Sequence, residues 1–216
     1  MNRLQIPFLS RLTSNMAIED ISAALDNLEK FNIDKAPWPA FSYVPSVKFS
    51  VAHNGNSLLL KYYVSENAVR ARYRQTNDPV FKDSCVEFFI AYQGEQEYYN
   101  LEFNCLGTCM VGFGDGRANR QLLPEKVIQQ IKRMAVMQKT TAADGGVLTT
   151  WQLTLIIPVE VFCRHNFSSF QGMSGSVNFY KCGDELPQPH FLAWNNILAD
   201  APDFHLPEYF GKVQFV

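Results

Sequence analysis

The stretch FKDSCVEFFIAYQGEQEYYNLEFNC, Phe81 to Cys105, holds two runs of strand-forming residues around a polar break at Gln93 to Gln96. A four-residue loop there sets Tyr92 opposite Glu97. Val86, Phe88 and Ile90 then oppose Phe103, Leu101 and Tyr99, and one face of the hairpin is wholly apolar, whereas a slip of one residue would mix the faces. The second face pairs Cys85 with Asn104, Phe89 with Asn100, and Glu87 with Glu102. Directly opposed side chains have Cβ atoms roughly 4.5–5.5 Å apart, so two ionised glutamates require a shared proton, a cation or an arginine. The nearest arginines lie in VRARYR, residues 69–74, whose alternation predicts a strand with Arg70, Arg72 and Arg74 on one face, and Arg72 is the expected countercharge.

Outward from this hairpin the chain is rich in strands. Candidates are 47–52, 57–64, 69–74, 84–92, 98–105, 109–113, 131–138, 149–157, 176–181 and 212–216, with turn signals at HNGN (53–56), GDG (114–116) and DGG (144–146). Before them, Ser14 or Asn15 caps a periodic segment with Ile18, Ile21, Leu25 and Leu28, the one clear helix. LPEKVIQQIK, from Leu123, reads equally as helix or strand. The expected fold is all-β, an antiparallel β-sandwich of immunoglobulin-like or jelly-roll-like type with a short N-terminal helix. Residues 1–36 read as a helical extension packed on a sandwich domain spanning 37–216.

Composition narrows the function. The 216 residues are 47% hydrophobic and 13% aromatic, enough for a large core, and a formal charge of −2 gives no basic field for nucleic acid. No apolar run is long enough for a membrane span, and the N-terminus lacks a signal-peptide core. With five cysteines in no framework spacing, the chain reads as cytoplasmic, or as periplasmic or extracellular if a leader was removed. Cys105 and Cys109 form a lone C-x3-C, a poor zinc motif. The four histidines show no metal or triad spacing, and GFGDGR at 112–117 is a turn rather than a phosphate cradle.

A polar sheet face with Arg72, Glu87, Asn100 and Glu102 beside aromatics suits carbohydrate, because guanidinium and carboxylate groups meet vicinal hydroxyls and rings cover the C–H face of a pyranose. A solvated ion network is the plain alternative. A glycosidase using Glu87 and Glu102 is another, since retaining enzymes hold two carboxyls about 5–5.5 Å apart. Trp194, in the loop-like HFLAWNN, is the best candidate for an exposed aromatic at the rim, while the parity of Trp151 places it in the core.

In order along the chain, FKDSCVEFFI with YYNLEFN, WQLTLIIP, VNFYKCGD, FLAWNNI and PEYFGKVQFV together resemble the family 9 carbohydrate-binding modules. The resemblance spans roughly Trp38 to Val216 and looks like the free-standing branch of that group. It implies a non-catalytic, lectin-like sandwich that holds a sugar end between two aromatic clamps, often with structural calcium and no other cofactor. The clamp positions fall on Phe81 and Phe204, where the well-known members have tryptophan. Glu87 falls on a carboxylate used to bind sugar hydroxyls, Glu102 on an arginine position, and Tyr180 on an amide position. Oligomeric state is not legible, and a structural or partner-binding sandwich stays open beside the sugar-binding reading.

Overall fold

The computed structural model describes residues 1–13, 15–92, 94–141 and 146–216. Ser14, and Asp144 and Gly145 of the DGG signal, lie outside the described residues, as does Gln93 of the hairpin loop. In chain order the elements are β1 (Arg3–Ile6), α1 (Ile18–Asp26), β2 (Phe31–Asn32), β3 (Ser46–His53), β4 (Ser57–Glu66), β5 (Cys85–Tyr92), β6 (Tyr98–Asn104), β7 (Cys109–Gly114), β8 (Gln121–Leu122), α2 (Glu125–Ile128), β9 (Lys132–Thr141), β10 (Val147–Pro158), β11 (Ser174–Cys182), β12 (Phe191–Ala193) and β13 (Gly211–Phe215). One sheet runs β1-β13-β11-β5-β6-β7-β8, with β12 also paired to β11; the other runs β2-β3-β4-β10-β9. All pairings are antiparallel except that of β1 with β13.

The hairpin has the register its alternation requires: Val86 faces Phe103, Glu87 faces Glu102, and Phe88 faces Leu101. Val86, Phe88 and Ile90 point into the space between the sheets, joined by Val177 and Phe179 from β11, and meet Phe49, Leu60, Tyr62, Leu153 and Leu155 of the facing sheet. Each such side chain, withdrawn from water, contributes roughly 1.5–3 kcal/mol. Trp151 is in this core, its Nε1 donating to Glu66 Oε1 at 2.7 Å. The Lys181 ammonium lies 3.0 Å from Glu66 Oε2, an ion pair wholly shielded from solvent.

Both outer faces are covered as well. Ile21 and Leu25 of α1 lie on Ala52, Leu59 and Ile156 of the smaller sheet. The helix starts behind Ala17 with no side-chain cap, and Asn15 does not cap it. On the larger sheet, Cys85, Phe89, Tyr98, Tyr180 and Cys182 lie beneath a second apolar layer that includes Trp38, Val80, Phe204 and Phe210, supplied by connecting segments. The face that carries the glutamates is therefore a second interior rather than a solvated surface.

Four strands escape the sequence reading: β1, β2, β8 and β12. The first 36 residues do more than add a helix, since β1 extends the larger sheet beside β13 and β2 extends the smaller one beside β3. Residues 69–74, expected as a strand, join neither sheet. The ambiguous segment after Leu123 makes a single helical turn, α2.

Candidate functional site

Period-two alternation on β5, β6 and β11 puts Glu87, Glu102, Tyr180 and Cys182 on the outer face of the larger sheet. Asp83, just before β5, fixes what precedes it. Its buried carboxylate accepts from the Arg70 guanidinium (2.5 Å), from the backbone N–H groups of Arg72 and Tyr73 (both 3.0 Å), and from the Asn104 amide (3.0 Å). These bonds hold VRARYR as an extended segment outside the sheet. Arg72 contributes its backbone, and its side chain is exposed; it does not balance the glutamates.

Arg120 does. Its Nη1 donates to Glu102 Oε1 at 2.9 Å, and the Asn100 amide donates to the same oxygen at 2.9 Å. The guanidinium reaches β6 because the chain folds back over two glycines. A Cβ on Gly114 would lie 2.7 Å from Arg120 Cα, and one on Gly112 would lie 2.6 Å from Asn100 Oδ1. The GFGDGR turn thus has a defined purpose, close packing of the loop that carries Arg120. Arg120 Nη1 also lies 3.1 Å from His205 Nε2, which must accept, so Nδ1 carries the proton and donates to Tyr98 Oη at 2.9 Å. Burial and the two arginines, 120 and 117, hold His205 down to about 3, and the ring stays neutral.

The opposed carboxyls are electrostatically unequal. Burial, and then the Glu102 charge, push Glu87 well above the usual carboxylate range. Burial raises Glu102 as well, while Arg120 and Asn100 pull it back. Of the two, Glu87 is therefore held the higher, because Arg120 and Asn100 engage Glu102 directly. The Cys182 thiol donates to Glu87 Oε1 at 3.0 Å, and Glu102 Oε2 is buried without a hydrogen-bond partner.

Above this floor opens a small cavity of about 90 Å³. Phe81, Glu87, Glu102 and Phe204 line it together with Arg117, Arg120, Asp184, Asp203, His205 and Phe191. Phe81 stands on a short 3-10 turn, Val80–Lys82. Phe204 is held from behind by Tyr180, whose ring stacks on it at 4.2 Å with a 9° interplanar angle and whose hydroxyl donates to the Phe204 carbonyl at 3.1 Å. Tyr180 is fully buried and supports the Phe204 ring without lining the cavity. Asn100, also fully buried, orients Glu102 in the same way.

Trp194 is not at the rim. Its ring lies in the inter-sheet core, edge-on to Phe179 at 5.8 Å and to Phe49 at 6.2 Å, with Gly211 leaving room for it. The structure instead adds Arg120, Arg117, Asp184, Asp203 and His205, which sequence reasoning did not single out. Their signal is weak: GRANR carries two arginines after a glycine turn, and CGD runs out of the end of β11, but nothing local aims either at the hairpin.

Two carboxylates before β5 are not free to hold the calcium that the family resemblance implies. Asp83 is committed to four donors, and Asp78 accepts from the N–H groups of Arg74 and Gln75. No helix among the described residues is long and apolar enough to cross a membrane.

The model for carbohydrate-binding family 9 matches residues 18–215. Among solved structures, a candidate carbohydrate-binding protein from Bacteroides uniformis ATCC 8492 is 34% identical over 99% of both chains, with a TM-score of 0.88. A family 9 module from Caldicellulosiruptor kristjanssonii in complex with glucose is 11% identical and covers 100% of this chain and 96% of that one, with a TM-score of 0.56. The same organism's module in complex with cellotriose is 10% identical over 99% and 93%, also at 0.56. No curated protein matches the chain. By its sequence over nearly the whole length, and by the sandwich just described, the chain belongs to carbohydrate-binding family 9.

Proposed function

We propose that this protein binds the end of a carbohydrate in the cavity between Phe81 and Phe204 and does not transform it. The observation that carries the reading is the meeting, in one cavity, of two aromatic rings with a buried carboxylate whose second oxygen has no partner. A sugar hydroxyl donating to Glu102 Oε2 supplies the missing bond, and leaving such a group unmet costs roughly 1–3 kcal/mol. Glu87 lies directly opposite Glu102, so two vicinal hydroxyls can each meet a carboxyl group. The rings supply apolar cover for the C–H face.

Hydrolysis is disfavoured by the layout. A glycosidase holds its two carboxyls on either side of the scissile bond. Here both side chains rise from neighbouring strands of one floor, and Glu102 is engaged by Arg120 and Asn100. The complexes of family members with glucose and cellotriose make glucan ends the first ligands to try. Isothermal titration with glucose and cellotriose, followed by a glycan array, should give saturable binding that Phe81→Ala weakens at least tenfold, with reporter glycosides left intact. Hydrolysis abolished by Glu102→Gln would make the protein an enzyme instead. A flat response to every glycan would favour a partner-binding domain.

A further inference from the structure

We infer that Cys85, Cys182 and Glu87 form a site for a thiophilic divalent cation of the zinc type at the floor of the cavity. Cys85 and Cys182 are register partners on β5 and β11, and Glu87 lies two residues along β5 on the same face, opposite Tyr180. The two sulfurs and a Glu87 oxygen all lie within 4.8 Å of one another, with Cys182 Sγ 3.0 Å from Glu87 Oε1. Zinc–sulfur bonds of about 2.3 Å and zinc–oxygen bonds of about 2.0–2.2 Å can be made from such spacings with small side-chain shifts.

The donor set selects the metal. Two sulfurs and one carboxylate exclude calcium and magnesium, which take oxygen, and suit zinc or cadmium. All three residues are buried, and Cys182 and Glu87 line the cavity, which gives an entry path. The Arg120 guanidinium is hydrogen-bonded to Glu102 and lies against His205, and it makes no direct bond to Glu87. Three protein ligands leave a fourth position, as in zinc sites that accept an external oxygen.

The test needs metal alone, with no sugar. The full chain carrying Cys163→Ser, which removes the one exposed thiol, is treated with chelator and reductant and titrated anaerobically with cadmium, then zinc. One equivalent of cadmium should give a thiolate charge-transfer band that zinc displaces. Cys182→Ser should abolish the band and Cys105→Ser should retain it. Glu87→Gln should weaken binding by more than the roughly 10- to 100-fold that follows loss of a supporting partner. No band in the Cys163→Ser protein, or a band unchanged by Cys182→Ser, would overturn the inference. So would a Cys85–Cys182 disulfide in protein purified without reductant, read as two missing thiols that reappear on reduction.

Discussion

Replacing Arg120 by alanine tests the electrostatics of the site most severely. The substitution removes the guanidinium from Glu102, whose side chain is 3% exposed, and leaves Asn100 as its one donor. Breaking a fully buried pair by removing one partner costs roughly 3–5 kcal/mol. Arg120 is 16% exposed, and Glu102 can escape by taking a proton, so we place the loss at about 2–4 kcal/mol near neutral pH. For a chain of this size, about 3 kcal/mol lowers Tm by roughly 6–12 °C. The pH dependence fixes the cause. Both carboxyls are raised in the folded state, so it binds more protons than the unfolded chain between the unfolded and folded pKa values. The stability they contribute is complete below the unfolded value and is lost as pH rises through the folded one. Without Arg120 the folded value for Glu102 moves higher and that loss steepens, so the deficit of Arg120→Ala should shrink towards about pH 5 and grow towards about pH 8. Denaturant titrations of both proteins at several pH values read this directly. A deficit under about 0.5 kcal/mol that does not move with pH would be ordinary surface behaviour and would refute the role given to Arg120.

Other expectations separate binding from folding. Trp194→Phe should lower stability by about 1–3 kcal/mol in thermal melts, because the ring fills the core between the sheets, and should leave glycan affinity unchanged. Lys181→Ala strands a buried glutamate on the opposite sheet and should cost about 3–5 kcal/mol in denaturant unfolding. Phe204→Leu, which keeps apolar volume against Tyr180 but loses the flat ring, should weaken sugar binding in calorimetry about three- to tenfold with a small change in Tm.

The hairpin was legible in the sequence because its alternation is strict. Any slip would have exposed Phe88 and buried Asn100 in the wrong layer, so apolar patterning alone determines that Glu87 faces Glu102. What patterning could not supply was the countercharge. VRARYR alternates like a strand, but a strand needs a ladder partner, and Asp83 captures its backbone N–H groups first. Arg120 is 18 residues beyond Glu102 in sequence and reaches it through a close approach that two glycines permit. Trp194 misled for a related reason: a short strand, β12, carries it inward, and its backbone N–H donates to the Phe179 carbonyl, so loop-like composition did not mean exposure. The edge strand β1 is too short for any periodic signal, and its pairing depends on β13 at the far end of the chain.

The most direct measurement of the central claim is a crystal structure of the protein with cellotriose or the strongest glycan-array ligand. A terminal sugar ring is expected between Phe81 and Phe204, with one hydroxyl on Glu102 Oε2 and its neighbour on Glu87. A sugar bound instead in the open groove lined by Arg3, Gln5, Lys212 and Gln214, with the Phe81–Phe204 cavity filled only by water, would contradict it.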